Sequence, residues 1–397
     1  MSASEQIGAG PARHGEATLV ELSVMLARAF GSPAGDAPIA PDLLAAGGAL
    51  DAQRLASVPT VVLILLDGAG CAAIERHVGS GTIAAGRCLR LDSVFPSSTA
   101  PAITSLVSGL APSVHGNSGW FLWSEAHGRV LRSLPMDWRG AHGEAPADWC
   151  WPWRGWIGAA PADAVAIQPM EIYDSAFSRH ALAGAALVGY RDLDGFVEQI
   201  IAAARQPRRG RRLVYAYAPH FDACCHDHGW QGEAAHECLN ALDRSVGAVL
   251  AALQGQDALV MVTADHGFCD VPPERQFDIA DFGSLARDLR APLTGEPRVA
   301  FCHLRAGRER AFVDEARERL GGIADVHRSA DLLCAGWFGR RVAAPREAFG
   351  DVTLVMRPHT AIGDRLPGER PHRMLGMHGG ASDEEMAISL SVFDMRA

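Results

Sequence analysis

TVVLILLDGAG, residues 60–70, is an unbroken run of β-branched and leucine residues that ends in an aspartate between apolar and glycine positions. Such a run reads as a central strand of a parallel sheet, apolar on both faces, whose C-terminal end presents the Asp67 carboxylate. In open α/β sheets that edge is where ligands bind. LVYAYAPHFD (213–222) and ALVMVTADHG (258–267) repeat the design. Three strands therefore aim Asp67, Asp222, Asp265 and His266 at one crevice.

Working outward, FPSSTAPAITSLVSG (95–109) has small and apolar residues at helical spacing after Thr99 and closes on a glycine. Thr99 is expected at or near the N-terminus of that helix, where partial positive charge and unpaired N–H groups favour a bound phosphate and an ionising hydroxyl. Ser97 and Ser98 precede the helix and are read as shaping the turn. In PHFDACCHDHG (219–229), Asp222 and His226 stand four apart, which puts both on one face of a helix. His220, Asp227 and His228 crowd the same stretch, and His220 and His228 are read as support or surface. MHGG (377–380) adds His378. Alone, Asp67 suits a helix cap, Asp265-His266-Gly267 a turn and His378 a loop. Jointly they supply three aspartates, three histidines and a hydroxyl, a donor set suited to a pair of zinc-like ions in a phosphoryl-transfer enzyme.

The chain has 397 residues, enough for a large α/β core with an inserted subdomain. A formal charge of -10 argues against a duplex nucleic acid partner or an anionic membrane surface. Bound dications would still make the site attractive to a small anionic substrate. No charged n-region leads into an apolar stretch, and no apolar span is long enough for a bilayer, so a cytoplasmic location is expected. The nine cysteines lack zinc-ribbon or CxxC spacing, which favours reduced thiols over a disulfide frame.

TLVELSVMLARAF (18–30) is amphipathic and suits a helix packed outside the core. GAGPARHG (8–15) is not a phosphate loop, because no strand precedes it and no Lys-Ser/Thr follows. Residues 117–160 hold Trp120, Trp123, Trp138, Trp149, Trp151, Trp153 and Trp156 among glycines and prolines, an ordered excursion over the core. Most of these rings are read as packing, with one or two, Trp120 first, as a wall for substrate. A small βαβ cap is expected over 295–350, from RVAFCHL, GRERAFVDEARERLGG and DVHRSADLL. The core then comprises 1–294 and 351–397, with FGDVTLVMRP (349–358) returning to the main sheet.

LLDG, FPSSTAP followed by SLVSGLAPSVHG, the D-x-x-x-H of 222–226, ADHG and GMHGGASDEEM together resemble the alkaline phosphatase superfamily, in its type I phosphodiesterase and nucleotide pyrophosphatase branch. The resemblance runs from about residue 60 onward. It implies an alkaline-phosphatase-like core, a largely parallel sheet flanked by helices. It also implies Thr99 as nucleophile, one divalent ion on Asp222, His226 and His378, and a second on Asp67, Asp265 and His266 with the Thr99 oxygen. Zinc is the first choice; manganese and iron accept the same donors. The bottom-up logic agrees, since a threonine hydroxyl is protonated at neutral pH and no histidine is evident beside Thr99 as its base.

Ala102 departs from the pattern. That branch usually presents an asparagine three residues after the nucleophile, whose amide meets a non-bridging phosphate oxygen, and Asn117 is the candidate substitute. His115 is read as structural. Sulfatase chemistry is disfavoured, because no Cys/Ser-x-Pro-x-Arg occurs at Thr99. A phosphomonoesterase and a phosphonoacetate-type hydrolase share the ligands, and the latter needs Lys or Arg for a carboxylate. The tryptophans, and the lack of a cation beside Thr99, favour a diester. A metal-binding scaffold without turnover is the non-enzyme alternative. The sequence leaves a homo-oligomer open.

Overall fold

The computed structural model describes residues 17–32, 52–140, 151–207, 210–369 and 374–396. GAGPARHG and Trp149 lie outside the described residues. The strand Thr60–Leu66 is buried along its whole length, as its composition requires. It lies in a seven-stranded sheet ordered Arg87–Asp92, Ala387–Asp394, Ala258–Thr263, Thr60–Leu66, Arg212–Ala218, Asp163–Pro169, Ala186–Tyr190. All neighbours from Ala258–Thr263 to Ala186–Tyr190 pair in parallel, and Ala387–Asp394 alone runs against both of its partners.

Helices cover both faces. Leu19–Ala29 opens on a capping box between Thr18 and Glu21 and buries Leu19, Leu22 and Leu26 in the main core. It meets the helix Thr99–Ser108, where Ser23 Oγ donates to Leu106 O at 2.6 Å. Trp156 Nε1 donates to the same carbonyl at 2.9 Å, so this ring is packing, and Trp138, Trp151 and Trp153 are buried in the same core. The seven described cysteine side chains are free.

A second seven-stranded sheet runs in the order Ala324–Arg328, Val352–Met356, Val299–Cys302, Thr294–Glu296, Phe121–Ser124, Arg129–Arg132, Asp137–Trp138. The expected strand, helix Glu309–Leu320 and strand of the βαβ unit are present. Val352–Met356 does not return to the main sheet. It pairs antiparallel with Val299–Cys302 and Ala324–Arg328, filling the gap that a βαβ crossover leaves between them. The excursion also joins this sheet, through Phe121 opposite Gly295. Phe95, just before the Thr99 turn, packs in one cluster with Val299 and Phe301, so the second sheet grips the main one close to the site. Among the described residues, no helix is long and apolar enough to cross a membrane.

Candidate active site

Asp67 follows its strand directly, and the chain then turns through Gly68 at φ +74°, where a Cβ would lie 2.3 Å from the Phe268 ring. A glycine is needed there for both reasons. Asp265 leaves the neighbouring strand in the same direction, and its Oδ1 accepts from Gly68 N at 3.0 Å and His266 N at 3.1 Å. Asp222 and His226 lie on the helix His220–His228, as their spacing predicts. His378 arrives on the loop after Gly376–Met377, a two-residue strand paired with Cys269–Asp270. Thr99 is the first residue of its helix.

These groups converge. His226 Nε2 is 3.4 Å from Asp222 Oδ2, and His378 Nε2 is 3.5 Å from Asp222 Oδ1. His266 Nε2 is 3.3 Å from Asp67 Oδ1, 3.6 Å from Asp265 Oδ2 and 3.9 Å from Asp222 Oδ1. Thr99 Oγ1 is 3.1 Å from the same His266 Nε2. A histidine therefore does stand beside Thr99, where the sequence alone gave no sign of one. Donor atoms fall into two groups within 4.8 Å of one another, Asp222 with His226 and His378, and Asp67 with Asp222 and His266. Asp222 belongs to both, which its sequence spacing could not reveal. Asp265 stands slightly back, with one oxygen held by backbone N–H groups and the other facing His266.

The arrangement suits cations. Asp67 Oδ1, Asp222 Oδ1 and Asp265 Oδ2 are buried without a hydrogen-bond partner, a costly state for carboxylates unless positive charge meets them. Burial, then the nearby Asp67 charge, raises the Asp265 carboxyl to about 7. Burial opposes charge on His266, but Asp265, Asp67 and Asp222 outweigh it and lift the ring to about 10. Burial and the His266 charge hold His378 well below its usual range. His226 Nδ1 pairs with Gly376 O at 2.8 Å and His266 Nδ1 with Gly267 O at 3.0 Å, which turns each Nε2 into the cleft.

Two supporting residues escaped the sequence reading. Tyr217 Oη donates to Asp67 Oδ2, fixing which oxygen faces the cleft. The alternation of LVYAYAPHFD signals an inward Tyr217, but not its partner. Glu296 is buried and accepts from Ser98 Oγ at 2.5 Å and Trp120 N at 2.7 Å; burial lifts its carboxyl to about 7.

The substrate contacts fare differently. Asn117 is fully buried and its amide donates to Ala100 O at 3.2 Å and Thr104 Oγ1 at 2.9 Å. It braces the Thr99 helix and has no amide hydrogen directed to a phosphate, so the expected replacement for the missing asparagine is withdrawn. His115 Nε2 pairs with Ser105 Oγ at 3.0 Å and its Nδ1 accepts from Asn117 N, a structural histidine. Trp120 is half-buried, and its backbone N–H donates to Glu296.

A cradle of aspartates and histidines at the C-terminal edge of a parallel sheet, with a threonine at a helix N-terminus, defines a class of metal-dependent hydrolase folds. The sequence profile of the type I phosphodiesterase / nucleotide pyrophosphatase family matches residues 61–381, and the chain belongs to that family of phosphoric ester hydrolases. Its fold is similar to murine ectonucleotide pyrophosphatase / phosphodiesterase 5, with a TM-score of 0.62 at 17% identity over 83% of this chain and 87% of that one. An inactive variant of the murine protein, a threonine replaced by alanine, in complex with AMP, gives a TM-score of 0.61 at 17% identity over the same shares, 83% and 87%. Phosphonoacetate hydrolase from Sinorhizobium meliloti 1021, in complex with phosphonoformate, gives 0.58 at 17% identity over 84% of this chain and 90% of that one. No curated protein matches the chain.

Proposed function

We propose that the chain hydrolyses small phosphate diesters through a covalent phosphothreonine formed on Thr99. The observation that carries this reading is the meeting, around His266 Nε2, of Thr99 Oγ1 with the carboxylates of Asp67, Asp265 and Asp222, the last of which also faces His226 and His378. Asp222, His226 and His378 would hold one divalent ion, and Asp67, Asp265 and His266 the other, zinc being the first choice. Such ions supply Lewis-acid charge that favours an ionised Thr99 hydroxyl and a departing oxyanion. Thr99, placed at a helix N-terminus, attacks phosphorus and the bond to the leaving alcohol breaks, so that the Thr99-bound phosphate keeps the second ester group; water then cleaves the Thr99–phosphate bond, restoring Thr99 and releasing a phosphate monoester. Two displacements give net retention at phosphorus. The inactive threonine-to-alanine variant of the murine neighbour supports the assignment.

The diester preference rests on the cations. The sequence contains no lysine, so a terminal phosphate or a carboxylate would have to meet arginine. Arg298, beside the His378 loop, is committed to Glu385 at 2.9 and 2.6 Å, and Arg139 to Asp364 and Glu369 at 2.7 and 2.9 Å. Neither of these two guanidinium groups is free for a carboxylate, and a phosphonoacetate-type substrate, which the third neighbour supports, is the second reading.

Metal-loaded protein should turn over bis-p-nitrophenyl phosphate or a p-nitrophenyl nucleotide ester faster than p-nitrophenyl phosphate or phosphonoacetate. Thr99→Ala should cost at least about 10³-fold in kcat, the scale of losing a covalent nucleophile, with metal content unchanged. Substantial turnover by that variant would move the nucleophile elsewhere. Full metal loading without turnover on any of the four esters and phosphonates would favour a binding scaffold.

A further inference from the structure

Glu296 ends the short strand Thr294–Glu296 of the second sheet, yet three segments of the site converge on it. Its Oε1 accepts both the Ser98 hydroxyl and the Trp120 N–H. Gly379, which follows His378, comes so near that a Cβ there would lie 2.8 Å from Glu296 Cβ. One buried glutamate therefore hydrogen-bonds the residue before Thr99 and the start of the Trp-rich excursion, while its aliphatic stem lies against the turn after His378.

The Ser98 contact is the informative one. By position Ser98 is the N-cap of the Thr99 helix, with extended backbone at φ -138° and ψ 153°, yet its side chain accepts from no backbone N–H. An N-cap hydroxyl ordinarily takes the N–H of the second or third helical residue. Here the third is Pro101, which has none, leaving Ala100 as the conventional partner. Ser98 Oγ instead points to Glu296. If it turned inward it would claim a backbone donor beside Thr99 that a non-bridging phosphate oxygen could otherwise meet. That donor matters more in a chain with Ala102 where its relatives' pattern has an asparagine, and with the Asn117 amide engaged elsewhere.

We infer that Glu296 is a positioning residue for phosphoryl transfer: as a hydrogen-bond acceptor it holds the Ser98 hydroxyl away from the helix N-terminus, fixing Thr99 and leaving the Ala100 amide to the substrate. The inference rests on Thr99 being the nucleophile. It makes the second sheet a working part of the site, since the acceptor comes from that sheet and the nucleophile from the main core.

The test compares Glu296→Ala, Glu296→Gln, Ser98→Ala and the double variant Glu296→Ala/Ser98→Ala in the metal-loaded protein, on bis-p-nitrophenyl phosphate. Glu296→Ala should lower kcat by about 10²-fold, the cost of a misplacement near 1 Å, with KM and metal content close to the parent. Glu296→Gln should recover most of that loss, because the amide oxygen accepts the same two hydrogens. The double variant should be no worse than Glu296→Ala, since both changes remove one shared bond. A Gln variant as slow as Ala, additive losses in the double variant, or parental kcat in Glu296→Ala would each overturn the inference. Thr99→Ala, assayed alongside, separates the failures: if it stays active the nucleophile assignment falls, and if it is dead while Glu296→Ala is unimpaired only this inference falls. Should Glu296→Ala fail to fold, Glu296→Leu decides, since it fills the same space and accepts no hydrogen bond: a lowered kcat with parental metal content supports the inference and a parental kcat ends it.

Discussion

The two halves of the site are built on opposite terms. Asp67, Asp265 and His266 sit at or just past the ends of adjacent parallel strands, at 1, 0 and 0% exposure, and backbone N–H groups hold Asp265 in place. Asp222, His226 and His378 come from a helix and a loop, and their side chains are 15, 22 and 8% exposed. The first half is set by sheet register, which leaves little room to move, and it adjoins Thr99. The second depends on how a helix and a glycine-rich turn pack, and it opens toward solvent. On the proposed function this is a division of labour, a fixed side that holds Thr99 and an accessible side where water and leaving groups would come and go.

The sharpest way to break that comparison is Asp265→Ala. Because the carboxylate has one oxygen in the cleft and the other on the backbone, its loss should deplete metal and cut activity at least about 10³-fold, beyond repair by added metal. Full metal occupancy in that variant, measured by elemental analysis, would contradict the ligand role. His378→Ala should also lose metal and activity, but raising the metal concentration should restore part of the rate, since the open half retains Asp222 and His226. Equal, unrescued losses in the two variants would erase the distinction between the halves.

Tyr217→Phe probes the closed half more gently. Removing the hydroxyl that orients Asp67 should weaken metal binding by about 10–100-fold, while Tyr215→Phe, whose hydroxyl has no hydrogen-bond partner, should not. Competition with a chelator reads both. The smallest effect is a pH dependence of thermal stability. Burial pushes the Asp265 carboxyl up to about 7 from an ordinary 3.8, so its stabilising share is complete below about pH 4 and fades as pH rises through 7; that of His266, lifted to about 10, fades later still. The metal-free protein should therefore lose stability from pH 5 to pH 9, whereas metal binding strengthens as its ligands deprotonate. The gap in Tm between loaded and metal-free protein should widen with pH, by a few °C on the scale of about 1 kcal/mol. A gap that stays constant would count against the buried carboxylates as ligands.

The same contrast explains what the sequence made legible. Asp67, Asp222 and Asp265 each follow a long apolar run, and a buried parallel strand is among the plainest signals a chain carries, so its terminal residues could be placed without coordinates. Asp222 and His226 followed from helical spacing once their segment was known to be a helix. Glu296 had no such herald. Its strand is three residues long, and its partners Ser98 and Trp120 lie 198 and 176 positions away. The placement of Val352–Met356 was hidden for a related reason: a short apolar strand has no mark that says which of two sheets it will join. Asn117 was misread because composition shows that an amide is near, not that a helix carbonyl has already taken it.

The strand Ala387–Asp394 carries a further consequence. It lies between Ala258–Thr263 and Arg87–Asp92, so one neighbour is made almost 300 positions before it in the chain. During synthesis, Arg87–Asp92 must wait until the Ala387–Asp394 segment has been made before its place in the sheet exists. Deleting this strand would strip the Ala258–Thr263 edge that leads into Asp265 and leave its backbone groups open to pairing with other chains.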